Sequence, residues 1–199
     1  MQWQHQAADG ESDGRRRRSA DSRRRIVEAV IRLVRQGDAA PSADKVAAEA
    51  GVGRRTLFRL FSDMESIYRE IQTVMLEKIA PVRAIPLKGD TQSERLHALI
   101  DRRSRFFEEI LPLTLAAELH RPRSAMVQAG HARMQAELRA ILIGLLPAPL
   151  LADPVGREAA DAVLSMDLWR RLRVDQGLAP DMARAVLHHI VSGLLDGDG

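Results

Sequence analysis

The sequence has 199 residues, no cysteine, one tyrosine and only 4% aromatic residues. The lack of cysteine excludes disulfides, thiolate metal ligands and a cysteine nucleophile. No apolar run approaches the roughly 18 residues that a membrane-spanning helix needs. The N-terminal stretch is polar and lacks the apolar core of a signal peptide. We therefore expect a cytoplasmic protein with no membrane partner.

Three common catalytic motifs are also absent. The chain has no GxxxxGK[ST], GxGxxG or HExxH sequence. A di-iron helical bundle needs two Glu-x-x-His motifs, and Glu94 with His97 forms only one. The adjacent His188 and His189 would point about 100° apart on a helix, which is poor geometry for one metal ion. We therefore expect no cofactor, no metal site and no enzymatic activity, with an enzyme as the main alternative class.

Positive charge is concentrated near the N-terminus. Residues 15–61 hold 13 basic against 5 acidic side chains, whereas residues 62–199 hold 17 against 19. A local excess of arginine is what a protein needs to neutralise nucleic-acid phosphates. Residues 1–18 have little to bury and are predicted to be disordered. Their run Arg15–Arg18 is either a solvated tail or an arm that contacts phosphates or the minor groove.

The stretch from Ser42 to Phe61, SADKVAAEAGVGRRTLFRLF, predicts two short helices joined by a glycine turn. Ala47 is small enough for two helices to cross closely, and Gly51 suits a left-handed turn. Apolar residues suited to the contacts beneath the helices are Val46, Ala50, Val52, Leu57 and Leu60. The second helix presents Arg54, Arg55, Thr56 and Arg59 near its start, which is typical of a DNA recognition helix. The alternative is a structural helical hairpin with solvated arginines.

The remaining pattern predicts an all-α protein of about nine helices. Apolar residues recur at helical spacing, and no segment alternates as a strand would. The first helix is expected from near Asp21 to Gln36. Later helices are expected to end near Pro81, Pro122, Pro147 and Gly177, and Pro112 is expected to kink or restart one. The last two helices are expected at about 155–176 and 181–195.

The C-terminal part offers two sets of apolar residues. Phe106, Phe107, His120, Met126, Met134 and Trp169 are candidates for lining a cavity for a small apolar effector, although core packing is the alternative for each. The last two helices carry the stripes Leu164, Leu168, Leu172 and Leu187, Ile190, Val191, Leu194. These stripes are buried either within the chain or against a partner, in a four-helix bundle of a two-fold dimer.

The segment KVAAEAGVGRRTLFRLFSDMESIY resembles the tetracycline-repressor (TetR) family of transcriptional regulators over about residues 22–70. This resemblance implies a DNA-binding head at 19–61 and a ligand-binding and dimerisation body at 62–199. It implies a homodimer that binds a palindromic operator in double-stranded DNA and is a repressor released by a small molecule. The residues that it places at DNA are Ser42, Lys45, Arg54, Arg55, Thr56, Phe58 and Arg59.

Three positions depart from the family pattern. Gly53 stands where a serine or threonine is frequent, Phe58 replaces a frequent tyrosine, and Met64 replaces a frequent lysine. Each departure removes a polar group that could contact phosphate, and the clustered arginines can offset the loss. A helix-turn-helix protein that binds DNA broadly and responds to no ligand is the alternative to a regulator.

Overall fold

A computed structural model describes the backbone of residues 4–196 and the side chains of these residues except 4–13, 15, 64 and 75–79. Within this range the chain forms α-helices, one turn of 3-10 helix (Arg121–Arg123), one π-helical segment (Arg171–Asp175) and no β-strand. The prediction of an all-α protein is confirmed. The α-helices are α1 (Gln4–Arg35), α2 (Ala43–Ala50), α3 (Arg54–Leu60), α4 (Met64–Arg83), α5 (Gln92–His120), α6 (Ala125–Ile143), α7 (Ala148–Ala152), α8 (Pro154–Val163), α9 (Met166–Arg170) and α10 (Pro180–Asp196).

The first helix is longer than the sequence pattern predicts. It runs without interruption from Gln4 to Arg35, so the predicted disorder of residues 1–18 is wrong from residue 4 onward, as is the predicted start near Asp21. Residues 4–18 contain no proline, and their arginines, glutamines and alanines are good helix formers that extend the packed helix toward the N-terminus. Residues 1–3 of the predicted arm lie outside the described residues.

Pro81, which is expected to end a helix, and Pro112, which is expected to kink or restart one, both lie inside helices. Pro81 is in the last turns of α4, and Pro112 lies within α5. Conversely, the helix expected at about 155–176 is divided, because Ser165 starts a new helix. Its Oγ accepts a hydrogen bond from the backbone N–H of Leu168 at 3.2 Å, which caps α9. Local capping therefore outweighs the continuous apolar pattern at this position.

The described residues up to Leu76, together with Pro112–His120, form one compact unit. Its core fills the space between α1, α2, α3 and the first turns of α4. The side chains at the centre, each at most 1% exposed, are Ile26, Val27, Val30, Val46, Leu57, Phe61 and Ile67. Burial of an aliphatic side chain contributes about 1.5–3 kcal/mol. This core is what holds short helices such as α2 and α3, which would not persist alone.

Residues Glu77–Leu111 and those from Arg121 onward form the second compact unit. Its core centres on Trp169 and Phe107, both fully buried, whose ring centroids lie 6.4 Å apart. Arg103 is also buried, at 3% exposure, and its Nη1 donates to the carbonyl oxygen of Leu164 at 2.7 Å. Its Nη2 donates to the carbonyl oxygen of Leu138, so one guanidinium joins α5, α6 and the end of α8. Burial lowers the pKa of Arg103 to about 10.

Candidate nucleic-acid interface

The turn between α2 and α3 has the geometry that the sequence pattern predicts. Ser42 caps the start of α2, where its Oγ accepts from the N–H of Lys45 at 3.3 Å. Gly51 ends the helix with φ 61° and ψ 40°, and its N–H bonds to the carbonyls of Ala47 and Ala48. A left-handed residue at this point is strained unless it is glycine. Ala47 is buried, and its carbonyl oxygen also accepts from the backbone N–H of Val52 at 3.0 Å within the turn.

Helix α3 divides cleanly into a buried and an exposed side. Leu57 faces the core at 1% exposure, whereas Arg54, Arg55, Phe58 and Arg59 are exposed. Phe58 is 48% exposed, which is high for a large aromatic side chain. Thr56 is half-buried. The structure thus brings the predicted contact residues of α3 onto one outward face.

Two of the predicted DNA-contacting cations are already paired with carboxylates. Lys45 Nζ lies 2.7 Å from Asp38 Oδ2, and Arg54 Nη1 lies 3.1 Å from Asp44 Oδ1. The guanidinium of Arg54 also lies over the ring of Phe58, 5.6 Å from its centroid. These contacts hold Arg54 beside Phe58 and reduce the charge that either cation offers to a phosphate.

Arg55 and Arg59 differ from Arg54 in having no such partner. Both are exposed, and neither forms a hydrogen bond, an ion pair or an aromatic contact among the described residues. Their guanidinium groups keep all five donors available, in the planar arrangement that fits guanine edges and phosphates. Arg55 and Arg59 are therefore the arginines of α3 whose charge is not neutralised by a carboxylate among the described residues.

Sequence reasoning missed the residues that organise these cations. In the sequence, Asp38 and Asp44 are only two of the acidic residues near the N-terminus, and nothing there indicates their pairing with Lys45 and Arg54. It also missed that Arg23 and Arg25 of α1 contact the backbone of the helix-turn-helix. An arginine on a helix of unknown orientation gives no sign of which backbone carbonyl it meets.

The candidate effector residues fall into different surroundings. Phe107 and Trp169 pack together in the core, and the indole Nε1–H of Trp169 donates to Glu108 Oε1 at 3.0 Å. Phe106 is buried beside Phe107 with ring centroids 5.6 Å apart. Their contacts are those of core side chains. Met126 and Met134, on α6, are half-buried.

His120 belongs to the first compact unit, whereas the other candidate effector residues belong to the second. Its Nε2 lies 2.7 Å from the hydroxyl oxygen of Tyr68, with which it shares a hydrogen bond, and the two rings are tilted 41° to each other. Partial burial raises the pKa of Tyr68. The pair joins the end of α5 to α4 within the first unit.

The predicted dimer stripes are divided between the core and the surface. Leu164, Leu172, Leu187 and Val191 are buried within the chain itself and so have no surface to offer a partner. Leu168, Ile190 and Leu194 are half-buried. Leu168 lies at an open groove of about 740 Å³, which also carries Gln135, Arg139, Glu158, Asp161, Arg170 and Arg171.

Two further kinds of feature are not found among the described residues. None of their helices is long and apolar enough to cross a membrane. No group of three or more histidine or acidic side chains in that range is arranged to hold a metal ion.

The geometry defines an all-helical protein in which a helix-turn-helix presents a cationic face. No protein-family model matches the sequence, and the search of curated proteins gave no match. Among solved structures, the chain is similar to a transcriptional regulator of the TetR/AcrR family from Thermobifida fusca, with a TM-score of 0.62 and 22% sequence identity. The match covers 90% of this chain and 99% of that chain. The fold of a TetR/AcrR-family regulator, which the resemblance of residues 22–70 predicted, is confirmed.

Proposed function

We propose that the protein is a sequence-specific, DNA-binding transcriptional regulator of the TetR family. The observation that carries this proposal is the exposed face of α3, on which Arg55 and Arg59 are unpaired among the described residues. Exposed guanidinium donors with no protein partner are available to bind phosphates and base edges. The similarity to a solved transcriptional regulator supports the same function.

In this proposal α3 is the recognition helix. An α-helix with side chains is about 10–12 Å across, and the major groove of B-DNA is about 12 Å wide. Arg55 and Arg59 would contact guanine edges or phosphates, and Thr56 would contact the base edges between them. Arg54 and Phe58 would lie beside them, and Ser42 and Lys45 would contact the flanking phosphates from α2.

The N-terminal arginines extend the proposed interface. Arg16, Arg17 and Arg18 are exposed on α1 and form no ion pair with any described residue. Because the helix is continuous, these side chains would contact phosphates from a rigid helix and not from a flexible arm. This contact is sequence-independent and would raise affinity for all duplexes.

We propose a homodimer that binds a palindromic operator, with a head at 19–61 and a dimerisation and effector-binding body at 62–199. The seven residues of α3 read too few base pairs to specify a site alone, and a two-fold dimer doubles the number read. Of the predicted dimer residues, Leu168, Ile190 and Leu194 retain surface for a partner. We further propose that the protein is a repressor and that a small apolar effector releases it from the operator.

Selection from a randomised pool of duplex DNA by the purified full chain, followed by sequencing, tests the proposal. A two-fold symmetric motif enriched at physiological salt is the expected result, with a specific-to-non-specific ratio on the order of 10³ or more. The Arg55→Ala variant, run in parallel, should enrich the same motif weakly or not at all. Retention without enrichment would instead indicate a broad DNA binder, and no retention would refute the DNA-binding function.

A further inference from the structure

Arginines of α1 contact the C-terminal ends of both helices of the helix-turn-helix. Arg25 Nη2 donates to the carbonyl oxygens of Ala50 at 2.6 Å and Gly51 at 2.8 Å, at the end of α2. Arg23 Nη1 donates to the carbonyl oxygen of Leu60 at 2.8 Å, at the end of α3. Cations are favourable at these positions because the last carbonyls of a helix have no intrahelical partner and carry partial negative charge.

Arg23 also joins α3 to the next helix. Its Nε donates to Glu70 Oε1 of α4 at 2.7 Å, and its Nη2 donates to the same oxygen. The guanidinium carbon lies 4.6 Å from the centroid of the Phe61 ring. Arg23 therefore meets the end of α3, the ring that follows it and a carboxylate of α4 at once. Only a planar group with several fixed donors makes such a set of contacts, and an ammonium group does not.

Helix α3 depends on such external contacts for its orientation. It has seven residues, and its N-cap, Gly53, provides no side-chain hydrogen bond. Among its side chains only Leu57 is buried, so the helix could pivot about this residue unless its end were held. Arg23 holds that end through Leu60. A binding side chain must be placed within about 0.5 Å of its productive position to make specific contacts.

We propose that Arg23, held by Glu70, is a positioning residue for α3. It sets the angle at which Arg55 and Arg59 meet base edges, and it does not contact DNA itself. This inference rests on the proposed function of α3 as the recognition helix. It assigns the Arg23–Glu70 pair a role in sequence discrimination that is separate from charge.

The first test compares Arg23→Ala, Arg23→Lys and Glu70→Gln with wild-type protein. Affinity is measured for the selected operator and for an unrelated duplex over a series of salt concentrations. Arg24→Ala is the matched control, because Arg24 is the neighbouring arginine and pairs only with Glu28 of its own helix among the described residues.

Loss of positioning has a distinct signature in this experiment. Arg23→Ala should lower the operator-to-unrelated ratio about tenfold, because a misplaced arginine forfeits discrimination between bases. The salt dependence should stay unchanged, and Arg23→Lys should fall between Arg23→Ala and wild type. Glu70→Gln should lower operator affinity although it removes a negative charge, which by electrostatics alone would strengthen DNA binding.

Two other results would overturn the proposal. If Arg23 contacts phosphate, Arg23→Ala loses affinity equally for both duplexes and its salt slope falls by about 0.9. If Arg23 only stabilises the fold, its variants melt at a lower temperature, but the protein that remains folded keeps the wild-type ratio of operator to unrelated-duplex affinity. Arg24→Ala should keep the wild-type ratio of operator to unrelated-duplex affinity. If this ratio fell as much in Arg24→Ala as in Arg23→Ala, the positioning proposal would also be contradicted.

A second measurement needs no DNA. Hydrogen exchange of the full chain should show faster exchange of the α3 amides in Arg23→Ala and Glu70→Gln than in wild type, with the amides of the α1 core unchanged. Unchanged exchange in α3 would refute the positioning role. This readout also separates the two proposals. If the wild-type chain selects no DNA sequence, the proposed function fails, and the exchange data still decide whether Arg23 holds α3.

Discussion

Asp44 of α2 and Arg54 of α3 form an ion pair across the helix-turn-helix, with 3.1 Å between Oδ1 and Nη1. Both side chains are more than 60% exposed, at 68% and 63%. Such exposed pairs contribute only about 0–1 kcal/mol to stability. The pair nevertheless occupies the first arginine of the proposed recognition helix. A carboxylate in this place opposes the approach of phosphate and withholds one cation from it.

Replacing Asp44 should therefore strengthen DNA binding. Asp44→Asn removes the negative charge and frees Arg54, so affinity for any duplex should rise by a few-fold, in line with about 1 kcal/mol or less for an exposed charge. Titration of a labelled duplex at low salt measures the change. Asp181→Asn, which makes the same charge change on α10, is the control and should leave affinity unaltered. An equal or lower affinity in Asp44→Asn would contradict the placement of α3 at DNA.

Removing an unpaired arginine of α3 should have the opposite effect. Arg55→Ala should weaken operator binding by about 1–3 kcal/mol if Arg55 contacts a base edge. The free energy of unfolding should not change, because the side chain is exposed and has no partner among the described residues. Thr56→Ala should also lower operator affinity. Lys88→Ala, an exposed cation of the second unit, serves as control. Wild-type operator affinity in both α3 variants would remove them from the interface.

The two glycines that flank the turn should respond differently to alanine. Gly51 has φ 61°, and a Cβ placed there would lie 2.8 Å from Arg25 Nη2. Gly51→Ala should therefore destabilise the protein by about 1–2 kcal/mol, the cost of a left-handed backbone. Gly53 has φ −71° and open space around its Cα, so Gly53→Ala should be close to neutral. Urea unfolding measures both, and equal effects would be inconsistent with the observed turn.

The stability of the second unit should fall as the solution is acidified. His97 of α5 faces His188 of α10, with 2.7 Å between their Nδ1 atoms, and Asp101 lies 3.0 Å from His188 Nε2 and 3.7 Å from Arg184. Burial and the neighbouring His188 lower the pKa of His97 below its ordinary value of 6.5, against the opposing effect of Asp101. The unfolded chain therefore binds this proton at a higher pH than the folded chain does. Stability is then lost as the pH falls below 6.5 toward the lowered pKa.

Urea unfolding between about pH 5 and about pH 8 tests this dependence. His97→Leu should flatten the change between these limits relative to wild type. His189→Leu changes an exposed histidine of the same region and should keep the wild-type dependence. A wild-type curve no steeper than that of His97→Leu would show that His97 does not carry the effect.

The sequence predicts the helix-turn-helix because its determinants are local. A cap at Ser42, a small residue at Ala47 and a glycine at Gly51 act within one or two turns, and all three have the expected geometry. The contacts that orient α3 are not local: Arg23 and Glu70 are 47 residues apart. Their pairing depends on how α1 and α4 pack, which periodicity does not specify. The same limit applies to Trp169, since an apolar stripe does not distinguish a core side chain from the wall of a cavity.

The continuity of α1 gives the N-terminal arginines a fixed angular phase. Each residue of an α-helix turns about 100° around the axis. Arg18 and Arg25 are seven residues apart, so they lie within about 20° of the same line along the helix. One alanine inserted between Arg18 and Arg23 would rotate Arg16–Arg18 about a quarter of a turn around the helix axis, while Arg23 and Arg25 stay in place. If these arginines were on a flexible tail, the insertion would not change their contacts with DNA. On a rigid helix that is in register with the duplex, the insertion would change these contacts.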